Sequence, residues 1–164
     1  MSFSEQKKNE LIYMTSDKIR APHAFTTRFG GVSEGNLASL NLGFNRGDDR
    51  EKVFENYRRV CNLIGGDLDH VAITSQVHGR EVRIVNGSDA HVWGTEIPYD
   101  ADGIVTAEKN LPIFCFAADC IPVLLLDEKH AVAGAVHCGW RSSVADILAV
   151  ALERMTSLGA EKKE

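Results

Sequence analysis

The sequence predicts a mixed α/β fold, and three observations carry that prediction. Two segments repeat apolar residues at the helical i, i+3, i+4 spacing. Six short β-rich runs lie between them, and several of those runs are apolar on both alternating faces. The class is α/β (α+β), a sandwich of mixed sheets flanked by helices. The expectation is a single domain over residues 1–164, long enough to bury a real core.

Taken in order, residues 11–14 and 23–28 read as short strands. Gly30 and Gly31 break the chain, and a loop rich in Gly, Ser and Asn runs to Asp48. Asp48 or Asp49 caps a helix whose apolar stripe is Val53, Phe54, Tyr57, Val60, Cys61 and Ile64, and Gly65-Gly66 ends it. Residues 71–74, 81–85, 103–106, 113–116, 123–126 and 131–136 follow as strands, expected to be central and covered on both sides. A capping-box start at Ser143-Val144-Ala145-Asp146 opens a second helix. Its apolar face holds Val144, Ile147, Leu148, Ala151, Leu152, Met155 and Leu158, and it stops near Gly159. Two helices are few for that many apolar strands, so part of the fold is expected to be missing.

A net charge of −5 argues against an electrostatic grip on nucleic acid, which needs basic stripes. The tight basic clusters Lys7-Lys8, Arg58-Arg59 and Lys162-Lys163 read as solvated faces. Residues 1–10 lack the apolar core of a secretory signal, and no apolar run reaches the roughly 18 residues of a membrane span. Cys61, Cys115, Cys120 and Cys138 form no CxxC pair. A cytoplasmic protein with free thiols is the expectation, with no membrane partner.

The chemistry concentrates in three islands: Gln76-Val77-His78-Gly79, Ala118-Asp119-Cys120 and Val136-His137-Cys138-Gly139-Trp140-Arg141. His78, Cys120 and His137 each close an apolar run beside a small or turn-forming residue, where reactive groups are displayed. Two imidazoles and a thiol are the ligand set of a catalytic zinc with an open vertex, which would acidify a bound water. The same residues suit a Cys120 nucleophile with His137 as its base, set side by side by a hairpin across their 17-residue separation. Both chemistries stay open. Asp119 orients an imidazole or caps the turn. Arg28, before Gly30-Gly31, suits a phosphate or carboxylate or else holds the following loop. Arg141 suits a phosphate or carboxylate or pairs with Asp127 or Asp146, and Gln76 a substrate edge. Trp140 reads as a core indole, and His23, His70, His91 and His130 as surface residues. Cys115 and Cys61 read as core thiols. Alternation points Cys138 away from His137. No GxGxxG, Walker loop or HxE with PCxxC is present, so dinucleotides, ATP and the usual zinc base-deaminase pattern are not indicated.

Seven motifs in order resemble one family. They are residues 25–33 (FTTRFGGVS), 39–43 (SLNLG), 47–49 (GDD), 76–79 (QVHG), 101–106 (ADGIVT), 118–125 (ADCIPVLL) and 136–141 (VHCGWR). The chain, from about 23 to 158, is similar to the YfiH-like family, also called the multicopper polyphenol oxidase (laccase) domain or peptidoglycan editing factor family. The resemblance implies mixed sheets flanked by helices, similar to cysteine hydrolases, and a His, Cys, His triad at His78, Cys120 and His137. It implies zinc at the site, phosphorolysis of purine nucleosides and deamination of adenosine, and so a transferase or hydrolase whose partners are a purine nucleoside and phosphate. For bacterial members it also implies an amidase that removes misincorporated serine from a cytoplasmic peptidoglycan precursor, UDP-MurNAc-L-Ser. Zinc is preferred to copper, because multicopper oxidases use many histidines in HxH pairs and this chain has six His and no such pair. Two departures stand out. Cys138 and Ser142 occupy positions where members commonly carry Ala and Gly, and members continue well past the position of Glu164. A truncated, inactive metal-binding fragment that needs a partner is therefore a further alternative, and a homo-oligomer is left open.

Overall fold

The computed structural model describes residues 2–90, 97 and 99–161, so His91 and the Lys162-Lys163 cluster lie outside the described residues. The chain divides into two units, Met1–Leu68 and Asp69–Glu164.

In the first unit, β1 (Phe3–Lys8), β2 (Leu11–Ser16) and β3 (Phe25–Thr26) form an antiparallel sheet in that order. The sequence reading had no β1, because all six of its residues are exposed and no buried face imposes a period of two. Pairing carries it instead: β1 runs against β2 in full register from Phe3↔Ser16 to Lys8↔Leu11. The run at 23–28 shortens to the two residues of β3.

Helix α1 (Arg50–Ile64) is built as its sequence predicts. Asp49 caps it by accepting the Glu51 N–H at 2.9 Å. Gly65 ends it in the left-handed region at φ 71°, where the Gly66 N–H reaches the Cys61 carbonyl at 2.9 Å. Its buried residues are Val53, Tyr57, Val60, Cys61 and one polar residue, Asn56. Asn56 is buried because it replaces missing backbone partners. It accepts from the Val32 N–H and donates to the Asn41 carbonyl, both at 2.8 Å, so the Gly-rich loop is pinned to the helix.

In the second unit, β4 (Val82–Ile84), β5 (Gly103–Thr106), β6 (Ile121–Asp127) and β7 (Val132–Cys138) make a mixed sheet in the order β4-β5-β7-β6. β4 and β5 are parallel, and the other two pairings are antiparallel. α2 (Trp140–Val144) and α3 (Ile147–Ser157) follow, and α3 packs on β7, β5 and β4. Alternation along β5 divides the core. Val105 joins Val82, Val132, Val136, Ile147, Ala151 and Met155, while Ile104 joins Ala72, Val85 and Leu111. The mixed sheets and helices expected from the sequence are present.

Several elements differ from expectation. Residues 71–74 and 113–116 are not strands of the sheet; they meet in one isolated parallel bridge, Ala72↔Ile113. Burial made them apolar, not a ladder. β6 is an edge strand whose residues are half-buried or exposed, because among the described residues its apolar run is paired on one side alone. The capping box at Ser143 is absent. Ser143 lies inside α2, and Asp146, left-handed at φ 61°, separates α2 from α3 without a side-chain cap. The break turns Val144 out to 83% exposure and leaves Leu148 and Leu152 partly exposed. Trp140, expected in the core, is 72% exposed at the start of α2.

Candidate metal centre

Strand direction gathers the three islands. β4, β5 and β6 begin, and β7 ends, at the same end of the sheet, as the pairs Val82↔Gly103, Gly103↔Val136 and Ile121↔Cys138 show. His78 precedes β4, Cys120 immediately precedes β6, and His137 is the penultimate residue of β7. The expected hairpin is the β6–β7 pair, which sets Pro122 opposite His137 and so brings Cys120 beside it.

One ligand atom from each of His78, Cys120 and His137 lies within 4.8 Å of the others. The two imidazoles stand edge to face, with ring centroids 4.9 Å apart and an interplanar angle of 82°. His78 is exposed, Cys120 half-buried and His137 buried, so the group is open on one side. Donors around a tetrahedral zinc stand roughly 3.3–3.6 Å apart, so contraction by about an ångström would complete such a shell. Soft thiolate with two imidazoles is a donor set that suits zinc.

Asp102, immediately before β5, is the residue the sequence reading assigned no role. Its side chain is fully buried, and its carboxylate accepts four hydrogen bonds. Oδ1 takes His137 Nδ1 at 2.8 Å and the His78 N–H at 2.9 Å. Oδ2 takes the Gly79 N–H at 2.7 Å and the Val77 N–H at 3.2 Å. The signal for it was present: an acidic residue at the head of a fully buried strand needs a specific set of donors. Gly139 is the second residue missed. A Cβ there would lie 3.1 Å from His78 Cδ2, 3.4 Å from Cys120 Sγ and 3.7 Å from His137 Cε1, so glycine leaves the three donors room where a side chain would press on His78.

The other expected site residues are placed as follows. Both ends of the Gln76 amide are engaged by Phe116: Nε2 donates to its carbonyl and Oε1 accepts its N–H, each at 2.7 Å. This amide therefore ties the first island to the segment leading to Cys120. Arg141 is exposed on α2, its guanidinium 5.3 Å from the Trp140 ring. Arg28, in the first unit, donates Nε to the Ala38 carbonyl at 3.0 Å and holds the following loop. Asp119 accepts from the Cys120 thiol at 3.8 Å. Partial burial, then the Asp119 carboxylate, pushes that thiol above its ordinary range. Burial pushes Cys115 up to about 12. Cys138 joins the apolar core behind β7, on the face opposite His137. Of the remaining histidines, His23 is a structural acceptor for the Ser16 N–H at 2.8 Å, and His130 is bonded to Asp127 at 2.8 Å. Among the described residues, no helix is long and apolar enough to cross a membrane.

Fold and site together define a mixed α/β protein with a His, Cys, His donor group at one end of its sheet. The chain belongs to the family described as multi-copper polyphenol oxidoreductase laccase, whose profile matches residues 22–164. It is 43% identical over 141 residues to purine nucleoside phosphorylase ORF3 of Streptomyces griseus, covering 85% of this chain and 56% of that protein. A purine nucleoside phosphorylase of Deinococcus radiodurans is 39% identical over 147 residues, with 90% and 54% covered. Among solved structures, YlmD from Geobacillus stearothermophilus superposes with a TM-score of 0.81 at 28% identity, covering 96% of this chain and 60% of that one. The Bacillus licheniformis hypothetical protein YfiH gives 0.74 at 28% identity, with 81% and 51% covered. The chain thus spans about half the length of the curated relatives it matches.

Proposed function

We propose that this chain carries the zinc site of a purine nucleoside phosphorylase that also deaminates adenosine. The convergence of His78, Cys120 and His137 within 4.8 Å carries the reading. Relatives at 37–43% identity named purine nucleoside phosphorylases support it. Zinc bound there would supply Lewis acidity. His137, with Nδ1 engaged by Asp102, offers Nε2 as its ligand nitrogen, and His78 and Cys120 offer the other two donors. The exposed side of the group is where substrate enters. In phosphorolysis a phosphate oxygen bonds to C1′ of the ribose as the bond to the purine breaks, and the base departs with a proton. In deamination water adds at C6 and ammonia leaves. Arg141 is proposed to hold the phosphate or another substrate anion, and Gln76 to keep the His78 and Cys120 segments together.

The test supplies the purified chain with zinc or copper in parallel, assays bound metal, and incubates each form with adenosine or inosine and phosphate. One zinc per chain, with release of free base and formation of inosine from adenosine, is expected. A chain that binds no zinc, or binds it and yields neither inosine nor free base, overturns the proposal, as does activity confined to the copper form.

A further inference from the structure

We infer that Asp102 is a positioning residue that presets both histidines of the site with one carboxylate. The inference rests on the reading of His78 and His137 as metal ligands. A buried carboxylate is costly to desolvate unless its acceptor sites are filled. Those of Asp102 are filled by the very groups that place the ligands: one imidazole nitrogen and three successive backbone N–H groups.

The two halves of the task are chemically distinct. A carboxylate facing His137 Nδ1 accepts a hydrogen bond there, so the neutral ring is the Nδ1–H tautomer and its lone pair sits on Nε2. That tautomer is the one a metal needs at Nε2, and the partner also fixes the ring's orientation. The second half concerns the backbone. His78 is left-handed at φ 60°, a conformation that non-glycine residues rarely adopt because Cβ crowds the backbone carbonyl. The turn at 77–79 aims three N–H groups into one concavity, which favours an anion. Asp102 is the anion in it. The bonds hold His78 in its strained conformation and bring its ring edge to face with that of His137.

The contribution of the carboxylate is separable from packing. In Asp102→Asn the shape is kept, but the amide NH2 replaces one acceptor. If it takes the place of Oδ2, it opposes the Val77 and Gly79 N–H groups. If it takes the place of Oδ1, it opposes the His78 N–H and donates to His137 Nδ1, which drives the ring proton to Nε2, where it blocks the metal. Either orientation damages one ligand.

The experiment uses the whole chain, metal-free, with ¹⁵N-labelled histidine. In the wild-type protein the neutral His137 ring is expected as the Nδ1–H tautomer, and finding it as Nε2–H overturns the inference without recourse to any variant. In Asp102→Asn, zinc affinity measured against a competing chelator should fall 10–100-fold, the range for loss of such a partner. Either the His137 tautomer should invert or the Val77 and Gly79 amides should lose their protection from exchange. Asp102→Glu, which keeps the charge, should recover part of the affinity and the Nδ1–H tautomer. A folded Asp102→Asn with unchanged tautomer, unchanged Val77 and Gly79 protection and zinc affinity within about twofold of wild type overturns the inference. Failure of the wild-type chain to take up zinc overturns the metal reading instead, and the tautomer still decides whether Asp102 holds His137.

Discussion

At the scale of single residues, the site is organised by what surrounds the donors as much as by the donors. Gly139 shows this most directly. Its φ of −67° is open to any residue, so a substitution there tests space and not backbone strain. Gly139→Val places methyl groups into the volume shared by His78, Cys120 and His137. Zinc affinity should fall at least tenfold while the circular dichroism spectrum stays that of the wild type. Affinity within twofold of wild type would show that the three donors meet elsewhere. The donors themselves were legible because each closes an apolar run beside a residue that turns the chain. Asp102 was not, since its value lies in four donors arriving from residues 77, 78, 79 and 137. Trp140 was misplaced for a similar reason: an indole favours burial in general, and only the direction of α2 decides that this one is exposed.

At the scale of elements, local rules succeeded where the element was governed by its own chain. α1 has a capping aspartate, a clean apolar stripe and a terminal glycine, and each does what the sequence predicts. Asp49→Ala removes the cap bond to Glu51 and should cost about 1 kcal/mol, read as a lower urea midpoint with an unchanged slope. An unchanged midpoint would mean that water or Asp48 replaces the cap. The second helix behaves otherwise. Its apolar periodicity runs unbroken through Asp146, yet the left-handed residue there splits it into α2 and α3, and the intended buried face is divided. Likewise 71–74 and 113–116 have the composition of strands without the partners of strands. Composition reports burial, and burial is not pairing.

At the scale of the whole molecule, both units lean on carboxylates that the fold holds in their ionised form. The Glu161 N–H and the His130 side chain keep the Asp127 carboxyl well below the usual range. Ser33 and Asn41 do the same for Asp48, and Arg59 and Arg58 for Glu55. A folded pKa below the unfolded value of about 4 gives stability that is complete above that value. It is lost as pH falls through the depressed folded values. The urea midpoint should therefore hold between pH 7 and pH 5 and decline below about pH 4, and Asp127→Asn should flatten part of that decline. A midpoint that is level down to pH 3 would show these groups to be solvated equally in both states.

The sequence by itself determined the mixed α/β class, the extent of α1 and the candidacy of His78, Cys120 and His137, because periodicity, caps and strand-end chemistry are properties of contiguous residues. Tertiary structure alone decided that β6 is an edge, that Trp140 faces out, and that Asp102 and Gly139 belong to the site. Each of these depends on which distant segments share one end of a sheet. Strand order and direction place residues 78, 102, 120 and 137 together there, and no local pattern encodes that order.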